Sequence, residues 1–178
     1  MKPSERQLKS CLAASLFTAL CIVSSFIKIP LYVPVTLQLL VTNTAMLVLS
    51  KKWAAASVLC YIFLGLIGIG TFGSGAGIIQ LTSVSFGYNI GFLLGAYLGG
   101  TVKEKTTSHH ADIYASFVNL LAVYVCGSIY FLLIQHLWLA QPISLLSSLG
   151  ISVIPFIIPD ILKILMSIYI YRRIKHTL

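Results

Sequence analysis

Residues 154–164 read IPFIIPDILKI and place two charges, Asp160 and Lys163, inside an apolar run that extends from Ile151 to Ile170. One charge at the centre of a membrane helix costs roughly 2.5–3.5 kcal/mol on insertion scales, so simple anchoring gives no reason for either. At i and i+3 the two side chains share a helical face and partly neutralise each other. Three readings stand side by side: a structural ion pair, a lysine that snorkels to the nearer interface, or a functional pair facing a polar cavity. The third makes Asp160 and Lys163 candidate ligand-binding residues.

The surrounding chain is as apolar as this stretch. Of 178 residues, 58% are hydrophobic and 9% charged, with a mean hydropathy of +0.96, where soluble domains carry about 25% charged residues. The fold class this predicts is an all-α integral membrane protein, one compact bundle over 1–178. Six stretches approach the roughly 20 apolar residues that a crossing needs: 11–27, 31–50, 53–72, 77–100, 113–139 and 146–171. No clear small-residue cleavage site follows the first of them, which therefore reads as a retained span rather than a signal peptide.

The net charge of +8 does not point to nucleic acid, because the basic residues cluster beside the spans. Lys2, Arg6 and Lys9 precede the first span, Lys51 and Lys52 separate the second and third, Lys103 and Lys105 separate the fourth and fifth, and Arg172, Arg173 and Lys175 follow the sixth. With six crossings all of these fall on one side, and the opposite connections hold only Lys28. The positive-inside rule then puts both termini in the cytoplasm. Cys11, Cys21, Cys60 and Cys126 form no CxxC and read as free, packed thiols.

The remaining motifs narrow the chemistry. Gly68, Gly70 and Gly73 match GxGxxG, but no βαβ pattern surrounds them, and no GxxxxGK[ST] occurs, so the chain carries no recognisable nucleotide site. The adjacent His109 and His110 lack the i, i+4 spacing of a helical metal pair and read as a solvated loop. The spans hold a single carboxylate, Asp160, with no histidine beside it, which argues against an enzyme; no catalytic residue, metal ligand or cofactor is assigned. Around residue 30 the sequence KIPLYVPVTLQLL sets Pro30 and Pro34 ahead of Thr36 and Gln38. The prolines disfavour helix, and irregular backbone at membrane depth needs a protein or cavity environment. Thr36 and Gln38 either satisfy the freed backbone or face a ligand. The polar group Thr71, Ser74, Gln80, Thr82, Ser83, Ser85, Tyr88 and Asn89 also calls for an aqueous or ligand-filled space. In the first span, Ser15 with Ala19 and Ala14 with Thr18 are small residues four apart, which permit close helix approach inside or outside the bundle.

Four segments together resemble the BioY family, the biotin-specific substrate-binding (S) subunits of energy-coupling factor (ECF) transporters. VPVTLQLL (Val33 to Leu40) resembles the family's VPVTLQ signature, and YIFLGLIGIGTFGSGAG (Tyr61 to Gly77) its glycine-rich segment. GYNIGF (Gly87 to Phe92) is similar to GYLIGF, and PDILK (Pro159 to Lys163) to a GDLIK-like stretch. Gly70 stands where the family usually has proline, SVSFGY replaces GPTGGY with Ser85 at the threonine position, and the AxxxA of the first helix becomes Ser15-xxx-Ala19.

The resemblance implies capture of biotin from outside and uptake across the bacterial cytoplasmic membrane, with a transmembrane coupling (T) subunit and two ATPase subunits as partners. It implies Ser15 and Ala19 at the coupling interface. Asp160 is expected to accept from the ureido N–H groups, with Asn89, Thr36 or Gln38 answering the rest of that ring, and Tyr88 and Phe72 packing on the bicycle. Lys163 pairs with Asp160 or meets the ligand carboxylate. Asp160→Ala is expected to abolish binding in a chain that still folds. The alternatives are an S subunit for another vitamin and a stand-alone proton-coupled carrier with Asp160 as its titrating group, although no internal repeat is visible.

Overall fold

Pro30 and Pro34 lack main-chain donors and bias their predecessors to extended backbone, and the chain there forms a hairpin instead of helix. In the computed structural model, which describes residues 3–73, 75–140 and 143–175, α1 (Pro3–Phe26) leads into β1 (Lys28–Ile29) and β2 (Val35–Thr36). The strands pair antiparallel, Lys28 opposite Thr36 and Ile29 opposite Val35. Next come α2 (Gln38–Val48), α3 (Lys51–Leu66), a 3₁₀ turn (Ile78–Thr82), α4 (Phe86–Lys105) and α5 (Ala111–Leu137). The chain closes with α6 (Leu145–Ser152), a second 3₁₀ turn (Ile154–Phe156) and α7 (Ile157–Ile174). Lys2 and Ser74, named above, lie outside the described residues.

Three expected spans take other forms. The second, 31–50, is a hairpin followed by an 11-residue helix, about 16 Å long and too short to cross alone. The fourth becomes α-helical only at Phe86: it starts from Gly77 at a φ of +86°, a region L side chains avoid, winds through the 3₁₀ turn Ile78–Thr82 and is extended at Ser83. The sixth is broken. Pro155 and Pro159 each remove one helical hydrogen bond, so α6 stops at Ser152 and α7 restarts at Ile157. Asp160 therefore sits in the first turn of α7, where the helix dipole favours a negative charge, and not in mid-helix.

The bundle is apolar outside and polar at its heart. Phe117, Leu121, Val125, Ile129 and Leu133 form an exposed stripe along α5, and Ile158, Leu162, Leu165 and Met166 another on α7, as lipid-facing surfaces require. Asn43 at the centre is 0% exposed; its Nδ2 donates to Ser116 Oγ at 2.9 Å and Ser167 Oγ at 2.6 Å, while its Oδ1 accepts from Asn119 Nδ2 at 2.8 Å. These bonds tie α2, α5 and α7 together. Cys21 is buried, but Cys11 and Cys60 are exposed on the outer surface and not packed as expected; all four cysteines are free.

The seam between α4 and α5 is lined by Gly87, Gly91, Gly95 and Gly99, spaced every fourth residue. A Cβ on Gly91 would lie 2.7 Å from Val123 Cα, and one on Gly95 2.1 Å from Asn119 Oδ1. Backbone meets backbone here because nothing larger than hydrogen fits.

The basic connections gather at one end. Lys51 Nζ reaches Glu104 at 3.2 Å and Arg172 Nε reaches Asp112 at 2.6 Å, while Lys103 donates to the Leu47 carbonyl. The Lys51 main-chain N–H, which donates to Glu104, holds that carboxyl below its usual range.

Candidate functional site

At the end opposite these basic groups, the hairpin, the 66–85 connection and the first turns of α4 and α7 enclose a cavity. Its volume is about 70 Å³, room for several waters at roughly 10–15 Å³ each. Thr36, Gln38, Phe72, Ser85, Tyr88, Asn89 and Asp160, seven of the eight residues singled out as ligand-binding from sequence, line it. Lys163 does not. It stands behind Asp160, its Nζ donating to Oδ1 at 2.7 Å, with the two residues 8% and 4% exposed.

Asp160 is held at both oxygens. Lys163 takes Oδ1, and the Tyr124 hydroxyl donates to Oδ2 at 3.0 Å. A carboxylate has about four acceptor positions, so each oxygen keeps one for a ligand. The pairing also revises the expectation for Asp160→Ala. Removing the carboxylate strands Lys163 in the interior, where breaking a buried pair costs about 3–5 kcal/mol. A charge-neutral isostere is the cleaner probe.

Gln38 supplies the complementary donor. Its Oε1 accepts from Thr36 Oγ1 at 3.1 Å, and its buried Nε2, beside the Tyr61 hydroxyl, makes no well-formed hydrogen bond among the described residues. A buried donor left unmade costs about 1–3 kcal/mol, an expense that a bound acceptor would relieve. Thr36 is thus a neighbour that orients Gln38. Ser85 Oγ is 2.9 Å from Ser83 Oγ, and Asn89 lies half-buried on the wall.

The rest of the wall is aromatic. Phe72 meets Tyr61 and Phe86 edge-on at centroid separations of 5.5 and 6.0 Å. Tyr88 stacks on Phe156 at 5.8 Å and 26°, its ring filling the space opened by Gly127, where a Cβ would fall 2.5 Å from it. The Tyr88 hydroxyl donates to the Ser152 carbonyl at 2.5 Å, which satisfies an acceptor at the break between α6 and α7. The 66–85 connection is pinned over the cavity: Ser25 Oγ donates to Thr71 O at 2.6 Å and Lys28 Nζ to Gly73 O at 2.7 Å. Gly73 permits this approach, since its Cβ would lie 2.0 Å from Ser25 O.

Tyr124, Lys28, Phe86 and Phe156 were not assigned from sequence. Tyr124 lies 36 positions from the carboxylate it touches, and no local pattern links them. Phe86 had a signal, since it abuts GYNIGF.

On α1, Ala14 and Thr18 face inward, Thr18 Oγ1 donating to Ser57 O at 3.0 Å. Ser15 and Ala19 are exposed on the outer surface.

A carboxylate with open acceptor positions, an amide donor and aromatic walls suit a ligand whose polar head both donates and accepts and whose body is apolar. The BioY family model matches residues 1–178. The chain is 29% identical to a biotin transporter BioY of Thermotoga maritima, over 94% of this chain and 96% of that one. It is 31% identical to a probable biotin transporter BioY of Pyrococcus horikoshii, over 90% and 93%. Its fold superposes on the crystal structure of an S-component for biotin from an ECF-type ABC transporter with a TM-score of 0.83, at 25% identity, covering 99% of this chain and 95% of that one.

Proposed function

The chain belongs to the BioY family, and from that premise we propose that it is a multi-pass S component that captures biotin at its outer cavity for ECF-type uptake across the bacterial cytoplasmic membrane. The observation that carries this is the pairing of opposite hydrogen-bond needs in one cavity. Asp160 has acceptor positions to spare, and Gln38 Nε2 is a buried donor with no well-formed hydrogen bond among the described residues. The ureido ring of biotin has two N–H donors and one carbonyl. Asp160 accepts an N–H in a charge-assisted bond, Gln38 donates to the carbonyl, and Asn89 meets the second N–H. Tyr88 and Phe72 cover the bicycle. Lys163 and Tyr124 hold the carboxylate still.

Binding alone moves nothing across a membrane, and no nucleotide motif occurs in the sequence. A T subunit and two ATPase subunits supply coupling and energy in this reading, with the exposed Ser15 and Ala19 as the contact on α1. Both termini lie in the cytoplasm with the basic clusters.

The test is competition for labelled biotin on stripped, detergent-solubilised protein. Displacement by unlabelled biotin, weaker displacement by dethiobiotin and none by riboflavin or thiamine is the expected result. Preferential displacement by another vitamin overturns the ligand, and uptake that follows the proton gradient but ignores ATP depletion overturns the ECF reading.

A further inference from the structure

Among the described residues, the cavity lining holds one cation, Lys28, and one carboxylate, Asp160, with Lys163 directly behind the carboxylate. Lys163 and Asp160 cancel within their 2.7 Å pair, which leaves the ammonium of Lys28. The described ion pairs are Lys51–Glu104, Lys163–Asp160 and Arg172–Asp112, and none engages Lys28. Among the described residues its Nζ donates to one acceptor, the neutral Gly73 carbonyl, at 2.7 Å. An ammonium has three N–H groups, so two are left after that bond.

Position matters as much as charge. Lys28 lies on β1 opposite Thr36, exposed at the cavity mouth, whereas Asp160 is buried in the lining. The cavity thus has a neutralised polar end and a cationic rim, a layout that suits a monoanion whose charge lies far from its polar ring. We propose that Lys28 is the specificity residue for the ligand's terminal carboxylate, the part assigned from sequence to Lys163 as one alternative. Its ammonium binds that carboxylate with one N–H while another still holds the Gly73 carbonyl, so the ligand's charge is joined to the segment lying over the cavity. This rests on the biotin reading above.

The experiment measures affinity for biotin and for biotinamide, which keeps the bicycle and chain but is uncharged, on wild type, Lys28→Met and Lys28→Arg. A charge-assisted bond at a partly exposed rim predicts a wild-type preference for biotin of about tenfold or more. Lys28→Met is expected to bring the two ligands within about twofold by weakening biotin alone, and Lys28→Arg to retain the preference. An equal loss for both ligands in Lys28→Met shows a purely structural role through Gly73 and overturns the proposal. So does a wild type that binds both ligands equally, a result that needs no variant to fold. A wild type that binds neither overturns the biotin reading itself.

Discussion

Two helices carry small residues at every fourth position, and the fold uses them differently. On α4 the stripe Gly87, Gly91, Gly95 and Gly99 is consumed inside the bundle, pressed against α5 so closely that added Cβ atoms at Gly91 and Gly95 would fall 2.7 and 2.1 Å from their nearest atoms. On α1 the inner pair, Ala14 and Thr18, is buried as well, but Ser15 and Ala19 remain exposed. The same pattern therefore marks an internal seam in one place and a bare surface in another. In lipid, association depends on packing instead of water exclusion. A flat stripe left open is a surface for close approach, and on α1 it fits the T subunit proposed above.

Substitutions of similar size should separate the two roles. Gly95→Val forces two methyl groups into Asn119, and overpacking of this kind costs about 1–3 kcal/mol or more. The seam is expected to open, with loss of the monodisperse protein in size-exclusion chromatography and of biotin binding with it. Ala19→Leu on the exposed stripe should leave the elution profile and biotin affinity unchanged, yet cut uptake about tenfold or more in cells that carry the coupling subunits. If Ala19→Leu unfolds the protein, or leaves uptake intact, the contrast between the stripes fails. A smaller effect is expected at the site. Tyr124→Phe deletes one hydrogen bond to Asp160, worth about 1 kcal/mol, so biotin affinity should fall about fivefold by titration with the thermal midpoint nearly unchanged.

Much of this was legible from residues because the chemistry was costly where it stood. Asp160 and Lys163 in an apolar run demanded an explanation, and Pro30 and Pro34 before Thr36 and Gln38 announced irregular backbone. What stayed hidden was mostly spatial. That Lys163 serves Asp160 instead of lining the cavity follows from rotamers, not spacing. Tyr124 meets Asp160 only because α5 and α7 pack together. Lys28 looked like a stray charge in a topology count until the hairpin placed it on the cavity rim. The α4 stripe was visible at period four, but Gly87 and Gly91 read as part of a family signature, and nothing in the sequence singled out Gly95 and Gly99. The break at Pro155 and the shortness of α2 escaped because apolar composition alone does not separate helix from strand or turn.

Asp160 is the point on which the account turns, and Asp160→Asn tests it with shape and most hydrogen-bonding capacity retained. The decisive measurement is calorimetric titration of stripped wild type and Asp160→Asn with biotin, each checked for a monodisperse profile. Saturable binding near one to one is expected in wild type and at least about hundredfold weaker binding in the variant, the loss of a charge-assisted bond to a buried carboxylate. Near-wild-type affinity in a folded Asp160→Asn variant would contradict it and move the ligand away from α7.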